Sequence, residues 1–199
     1  GVLENYVRND LNVRAPRTMA VLDPLKVVLT NFPQDETEWL EAAVHPQNED
    51  MGTRKVAMTR EIWIERGDFM EEPPRKFFRL KPGCEVRLRN PFIVKCTDVI
   101  KNEAGDVVEL HCELDTETRS GKPGASRKVK GTIHWVSAEH GVAVEARLCD
   151  RLFTVPNPLG EKDHDYREFI NEHSMDVLEN VIVEPAVAEG KPGDFYQFE

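Results

Sequence analysis

Residues 75–95 read RKFFRLKPGCEVRLRNPFIVK. The stretch holds seven cations (Arg75, Lys76, Arg79, Lys81, Arg87, Arg89, Lys95) against one anion, Glu85, inside a chain of net charge −10. Its second half alternates, with Val86 and Leu88 interleaved with Arg87 and Arg89. Side chains two apart on a strand share a face. The spacing therefore predicts a strand with Val86 and Leu88 in a core and Arg87 and Arg89 together on the opposite face. Neighbouring guanidiniums repel, and solubility alone gains little from such a pair. A polyanion or a row of base edges would use both. A solvated strand face is the other reading of the same pattern.

Downstream, residues 92–101 and 106–114 flank NEAGD, a hairpin turn with a glycine. Val108, Leu110, Cys112 and Leu114 are expected on one face of the second strand. A Gly/Ser/Lys loop follows at 116–126. Alternation resumes over 128–136 and 142–148, joined by SAEHG. Short strands at this spacing predict a barrel or sandwich rather than alternating α/β units.

Upstream, Leu3, Val7 and Leu11 form the stripe of a short amphipathic helix. Such a helix needs a partner surface beyond itself, and Ala15-Pro16 ends it. Residues 19–32 read as two short strands divided at Asp23-Pro24, the proline confined to an edge or bend. Residues 33–52 read as a polar loop. Residues 55–66 read as one alternating strand, Ile62 and Ile64 opposite Trp63 and Glu65. Pro73-Pro74 marks a boundary just before the basic stretch. Residues 160–199 carry eleven anions and three cations. Within them 166–174 predicts a short helix, and 177–183 and 195–198 predict strands. This acidic tail repels nucleic acid, which confines any RNA contact to 54–95 and the 119–130 loop.

The chain of 199 residues is 40% hydrophobic and 31% charged, enough to build a core in one large or two small domains. No apolar run approaches the ~20 residues of a membrane span. A charged start without an initiator methionine points to part of a longer protein. The four cysteines, Cys84, Cys96, Cys112 and Cys149, lie 12, 16 and 37 apart. That spacing offers no zinc site and suits free thiols in a reduced, cytosolic protein. No phosphate-binding loop, nucleophile elbow or metalloprotease motif is present. Asp163-His164-Asp165 reads as a solvated loop and His134 as a structural histidine. Trp39, Trp63 and Trp135 read as packing residues. Phe77 and Phe78 sit between cations, where packing or stacking on bases are both open. A binding module is the better reading than an enzyme.

APRTMAVLDPLKVVLTN (15–31), HPQNEDMGTR (45–54), EIWIERGDF (61–69), FFRLKPGCEVRLRN (77–90), KVKGTIHWVSA (128–138), RLCDRLFTVPNP (147–158) and the final QFE resemble the C-terminal region of bacterial-type glutaminyl-tRNA synthetases. The resemblance runs in order through nearly the whole chain. It implies an all-β fold, two consecutive antiparallel β-barrels with a short N-terminal helix, that binds a tRNA anticodon loop. Residues 1–14 would end a helical linker, 15–75 with 154–199 would build a proximal barrel, and 76–153 a distal one. Anticodon readers are implied at Arg17, Lys76, Arg79, Arg87, Arg89 and Gln197. Lys76 stands where close relatives often have Gln, and Phe78 where some carry Lys. Lys122, Arg127, Lys128 and Lys130 suit phosphate positioning better than readout. No catalytic or metal-binding residue and no cofactor are expected in this chain. The full-length parent would be a class I ligase joining glutamine to tRNA(Gln) with ATP and Mg2+ in a catalytic domain outside it. The implied partners are the tRNA(Gln) anticodon loop and that catalytic domain, in a cytoplasmic monomer. Two rivals remain: the related barrels of archaeal/eukaryotic-type glutamyl-tRNA synthetases, and a protein-interaction β module whose acidic tail docks a basic partner.

Overall fold

The computed structural model describes residues 1–90, 92–119 and 121–199. Helix α1 (Val2–Arg14) forms where the apolar stripe predicts it, and none of its residues is buried. It stops at Ala15, whose backbone is extended ahead of Pro16. The strands are β1 (Arg17–Thr18), β2 (Ala20–Val21), β3 (Pro24–Leu29), β4 (Glu38–Ala43), β5 (Thr53–Met58), β6 (Glu61–Glu65) and β7 (Glu85–Leu88). They continue with β8 (Ile93–Lys101), β9 (Val107–Asp115), β10 (Thr132–Ile133), β11 (Trp135–Ser137), β12 (Val142–Cys149) and β13 (Met175–Val183). After a short turn of helix α2 (Pro185–Ala188) comes β14 (Gln197–Phe198).

Seven strands form one sheet in the order β10-β7-β8-β9-β3-β6-β11. Its two edges, β10 and β11, are consecutive in the chain, separated only by His134. A single six-residue run, 132–137, thus closes the sheet on itself into a barrel, which removes the exposed edges. Most pairings are antiparallel, while β3–β9 and β7–β10 are parallel. The inward positions of this sheet include Leu25, Val27, Ile62, Ile64, Val86, Leu88, Leu110, Ile133 and Trp135, all at most 2% exposed. The Trp135 indole N–H donates to the Arg89 carbonyl at 2.9 Å, so its polar edge is satisfied inside the core.

There are three smaller sheets, two of which hold the segments near the chain ends. β12-β13-β2 form one, β1 pairs with β14, and β4 with β5. Residues 17–21 therefore pair with 182–183 and 197–198. Glu184, 1% exposed, takes Arg54 through Nε and Nη2 at 2.8 Å each and the Met19 N–H at 2.7 Å.

Several local expectations change. Residues 55–66 are two strands, because Thr59-Arg60 turns the chain: β5 leaves to pair with β4, and β6 pairs with β3 and β11. The Thr59 hydroxyl lies 2.7 Å from the Glu61 carbonyl and from Ser137 Oγ and holds that turn. β4 lies inside the expected 33–52 loop. Its inward positions are Glu38, Leu40 and Ala42, so burial alternates, but Glu38 inside and Trp39 outside keep the residue types from showing it. The 166–174 helix shrinks to one 3-10 turn over Tyr166–Phe169. The 128–136 strand begins only at Thr132 and breaks at His134. Val108 falls off the buried face of β9 because the register shifts there, Ile100 facing Glu109 and Lys101 facing Val107; it is 43% exposed. Trp39 is a half-buried packing residue, as expected, 50% exposed and tilted against His140.

Candidate nucleic-acid interface

The alternation of residues 85–89 places Val86 and Leu88 in the core, as expected, and leaves Arg87 and Arg89 outside it. The two guanidiniums have different partners. Arg87 Nη2 donates to the carbonyls of Ala125 and Arg127 at 3.1 and 2.7 Å. Arg89 Nη1 meets Glu199 Oε2 at 2.9 Å, and its buried Nε has no partner among the described residues.

Arg89 shares a cavity of about 70 Å3 with Arg17, Arg54, Asn90 and Glu199. Arg17 is 6% exposed. Its Nη2 donates to Asn12 at the end of α1, to Oδ1 at 2.9 Å and O at 3.2 Å. Its buried Nη1 has no partner among the described residues. Gln197 lies beside Arg17 in the β1–β14 register and is exposed. Three of the expected readers, Arg17, Arg89 and Gln197, are thus gathered where β1, β14 and the end of β7 meet. Two buried N–H groups without an acceptor among the described residues belong to arginines lining this cavity, where an oxygen atom, of water or of a ligand, would satisfy them.

A second, larger concavity of about 450 Å3 runs between residues 75–85 and 128–131. Arg79 lines it together with Lys128 and Lys130, so an expected reader and two expected phosphate contacts share one groove. Phe78, for which stacking on bases is open, and Arg75 and Lys81 of the cationic stretch belong to it too. Gly131 anchors its floor: a Cβ there would come within 2.2 Å of the Phe78 carbonyl, and the Gly131 carbonyl accepts the Arg87 N–H at 2.9 Å.

Arg79 Nε donates to Asp68 Oδ1 at 2.8 Å, which fixes the guanidinium by its inner edge while the side chain stays 47% exposed. Burial raises the Asp68 carboxyl above its ordinary value, against the pull of Arg79 and His134. The neighbouring Glu65 is also pushed up by burial, but His134 and the N–H groups of Leu22 and Asp23 outweigh it and hold that carboxyl low. His134 spans the two acids, 3.7 Å from Glu65 and 3.9 Å from Asp68. It is a structural histidine at the corner where the barrel closes. Nothing in the pattern around Asp68 or Glu199 singled them out as partners of arginines, because isolated acids in turns are common.

The remaining expected contacts lie elsewhere. Arg127 is committed to Glu85 and Asp115. Lys122 sits 3.4 Å from Glu117 and lines a separate pocket with Arg119, which is itself ion-paired to Glu38. Lys76 is exposed and has no partner among the described residues. Among those residues no group of three His, Cys, Asp or Glu is placed to hold a metal ion, and no helix is long and apolar enough to cross a membrane. The four cysteines are free thiols, with Cys96 and Cys112 facing each other across β8 and β9.

Fold and site together define a β-built binding module with two cationic concavities on one barrel. Residues 15–115 and 132–199 each match a family described as the anti-codon binding domain of class I tRNA synthetases (E and Q), and the chain belongs to that family. It is 51% identical over all 199 residues to a glutamine–tRNA ligase of Xanthomonas euvesicatoria, covering 34% of that protein. It is 49% identical over 199 residues to one from Bradyrhizobium diazoefficiens, covering 35% of it. With one from Clostridium perfringens it shares 48% over 196 residues, 98% of the chain and 35% of the relative. The chain spans about a third of the length of these relatives.

Proposed function

We propose that the chain binds the anticodon loop of tRNA(Gln) and forms the anticodon-reading part of a glutamine–tRNA ligase. The carrying observation is the pair of buried, unpartnered guanidinium N–H groups of Arg17 and Arg89 beside one small cavity, in a chain about half identical to glutamine–tRNA ligases along its whole length. Bases of an unstacked loop offer their Watson–Crick edges. Arginine's rigid planar fork can pair bidentately with a guanine edge in a fixed geometry, which lysine's rotating point charge does not impose. Arg17 and Arg89 are assigned to base readout at the small cavity, Gln197 to readout beside Arg17 on β14, and Arg79 to readout at the larger groove. Lys76, Lys128 and Lys130 are assigned to the phosphate backbone.

Arg87, Arg127 and Lys122 act on this reading by shaping the 116–127 loop rather than by touching bases. The division into 15–75 with 154–199 and 76–153 is kept as a proposal, supported by the pairing of β1 and β2 with β14 and β13. β3 and β6 nevertheless contribute to the seven-stranded sheet, so the two units would share strands. Glutamine activation with ATP and Mg2+ is assigned to the part of the ligase outside this chain, and the whole protein to the cytoplasm as a monomer. The test is binding of the 199-residue chain to RNA hairpins carrying glutamine or glutamate anticodons at two salt concentrations. Preference for the glutamine hairpin is expected; equal affinity for both would remove the readout assignment.

A further inference from the structure

The larger groove has a composition that base readout by arginine does not explain. Phe78 lines it and is 48% exposed, so part of its ring is open to the groove. Lys130 Nζ lies 5.5 Å from its ring centroid, and Lys81 and Lys128 line the same walls. The only carboxylate lining the groove among the described residues, Glu85, is neutralised by Arg127. A π-face set among ammonium groups matches the two halves of a nucleotide: a flat base and a phosphate.

We propose that Phe78 is a stacking platform for one unpaired nucleotide of the bound RNA, with Lys128 and Lys130 receiving its phosphates. This rests on the reading of the chain as an anticodon-loop binder and adds a subsite to it. Single-stranded RNA is held in this way where a sequence-tolerant grip is needed, because every base has a π-face. The groove, about 450 Å3, falls in the size range of pockets for small-molecule-sized ligands, which includes a nucleotide. Its walls are fixed beforehand. Gly131 seats the Phe78 backbone, and the Arg87 N–H holds the Gly131 carbonyl, so Phe78 and Lys130 are tied to strand β7. The platform is thus held in register with Arg87 and, two residues further along the chain, with Arg89. Stacking at Phe78 would hold one nucleotide still while the arginines read others.

The test uses the whole chain and an RNA hairpin with a glutamine anticodon loop, together with versions in which each loop nucleotide in turn is abasic. Phe78→Leu keeps an apolar side chain and removes the π-face. It is expected to weaken binding about five- to a hundred-fold, equally for matched and mismatched anticodons, with an unchanged melting temperature. Phe78→Tyr is expected to bind like the parent. One abasic position is expected to cancel the effect of Phe78→Leu, and that nucleotide is the occupant. Lys130→Ala is expected to lower the salt slope by about one contact. Unchanged affinity of Phe78→Leu, or a loss that no abasic position cancels, overturns the platform. If that happens while Arg89→Ala still loses anticodon preference, only the platform falls. If the parent chain binds no hairpin even at low salt, the anticodon reading falls and the platform with it.

Discussion

Arg87 and Arg89 are two residues apart on one strand, yet their side chains have different work. Arg87 spends Nη2 on two loop carbonyls, whereas Arg89 carries a buried Nε without an acceptor beside a cavity it shares with Arg17. Arg89→Ala is therefore expected to cost about 1–3 kcal/mol of RNA affinity and to flatten the preference for the glutamine anticodon. Arg87→Ala is expected to release the 123–127 turn and weaken all hairpins alike. Titrations of both variants with matched and anticodon-swapped hairpins check this, and a flattened preference in Arg87→Ala would reverse the assignment. The sequence made the basic stretch and its strand face legible, because charge and alternation are local properties. It did not show that Glu199, 110 residues away, would meet Arg89, or that Asp68 would hold Arg79. Such partners are chosen by the tertiary fold and leave no local pattern.

At the level of elements, strands with one buried face announced themselves: β3, β6, β7, the β8–β9 hairpin and β12 lie close to where alternation places them. β4 was hidden because its inward face puts Glu38 beside Leu40 and Ala42 while Trp39 faces out, and β10 and β11 merged because one continuous apolar pattern serves both edges of a closed barrel. The 116–127 segment is held differently, by charge. Arg127 joins Glu85 on β7 to Asp115 at the end of β9. Arg127, beside Glu85, holds its carboxyl below its ordinary 4.5. A carboxyl depressed in the folded state contributes stability that is present above its unfolded value, near 4.5, and lost as pH falls through the lower folded value. These groups are more than a third exposed, so the contribution is about 0.2–1 kcal/mol. Protection of the 116–127 amides, measured against the intrinsic exchange rate at each pH, is expected to be higher at pH 7 than near pH 3. Glu85→Gln should show the lower protection already at pH 7. Equal protection in parent and variant at pH 7 would mean that packing, not this ion pair, holds the segment.

Over the whole molecule, the net charge of −10 hides a separation: the acidic C-terminal segment wraps back to the barrel through β13 and β14, and the cations line the two concavities. What ties that segment in place is the buried pair of Arg54 and Glu184, whose side chains are 9% and 1% exposed. Glu184 also accepts the Met19 N–H, so one carboxylate joins β5, the residue before β2 and the end of β13. Removing one member of a buried pair leaves the other charge without compensation, and the typical cost is about 3–5 kcal/mol. Glu184→Ala strands both the Arg54 guanidinium and the Met19 N–H. It is expected to lower unfolding stability by about that amount and to loosen β1, β2 and β14 together. Arg17 and Gln197 lie on β1 and β14, so anticodon preference should decline along with stability. Replacing both partners at once, Arg54→Met with Glu184→Leu, leaves no orphaned charge and should recover most of the loss. Urea unfolding of the parent, the single variant and the double variant separates these cases. A single variant within ~0.5 kcal/mol of the parent would mean that water reaches Arg54 and that the sheets, not the ion pair, hold the chain ends to the barrel.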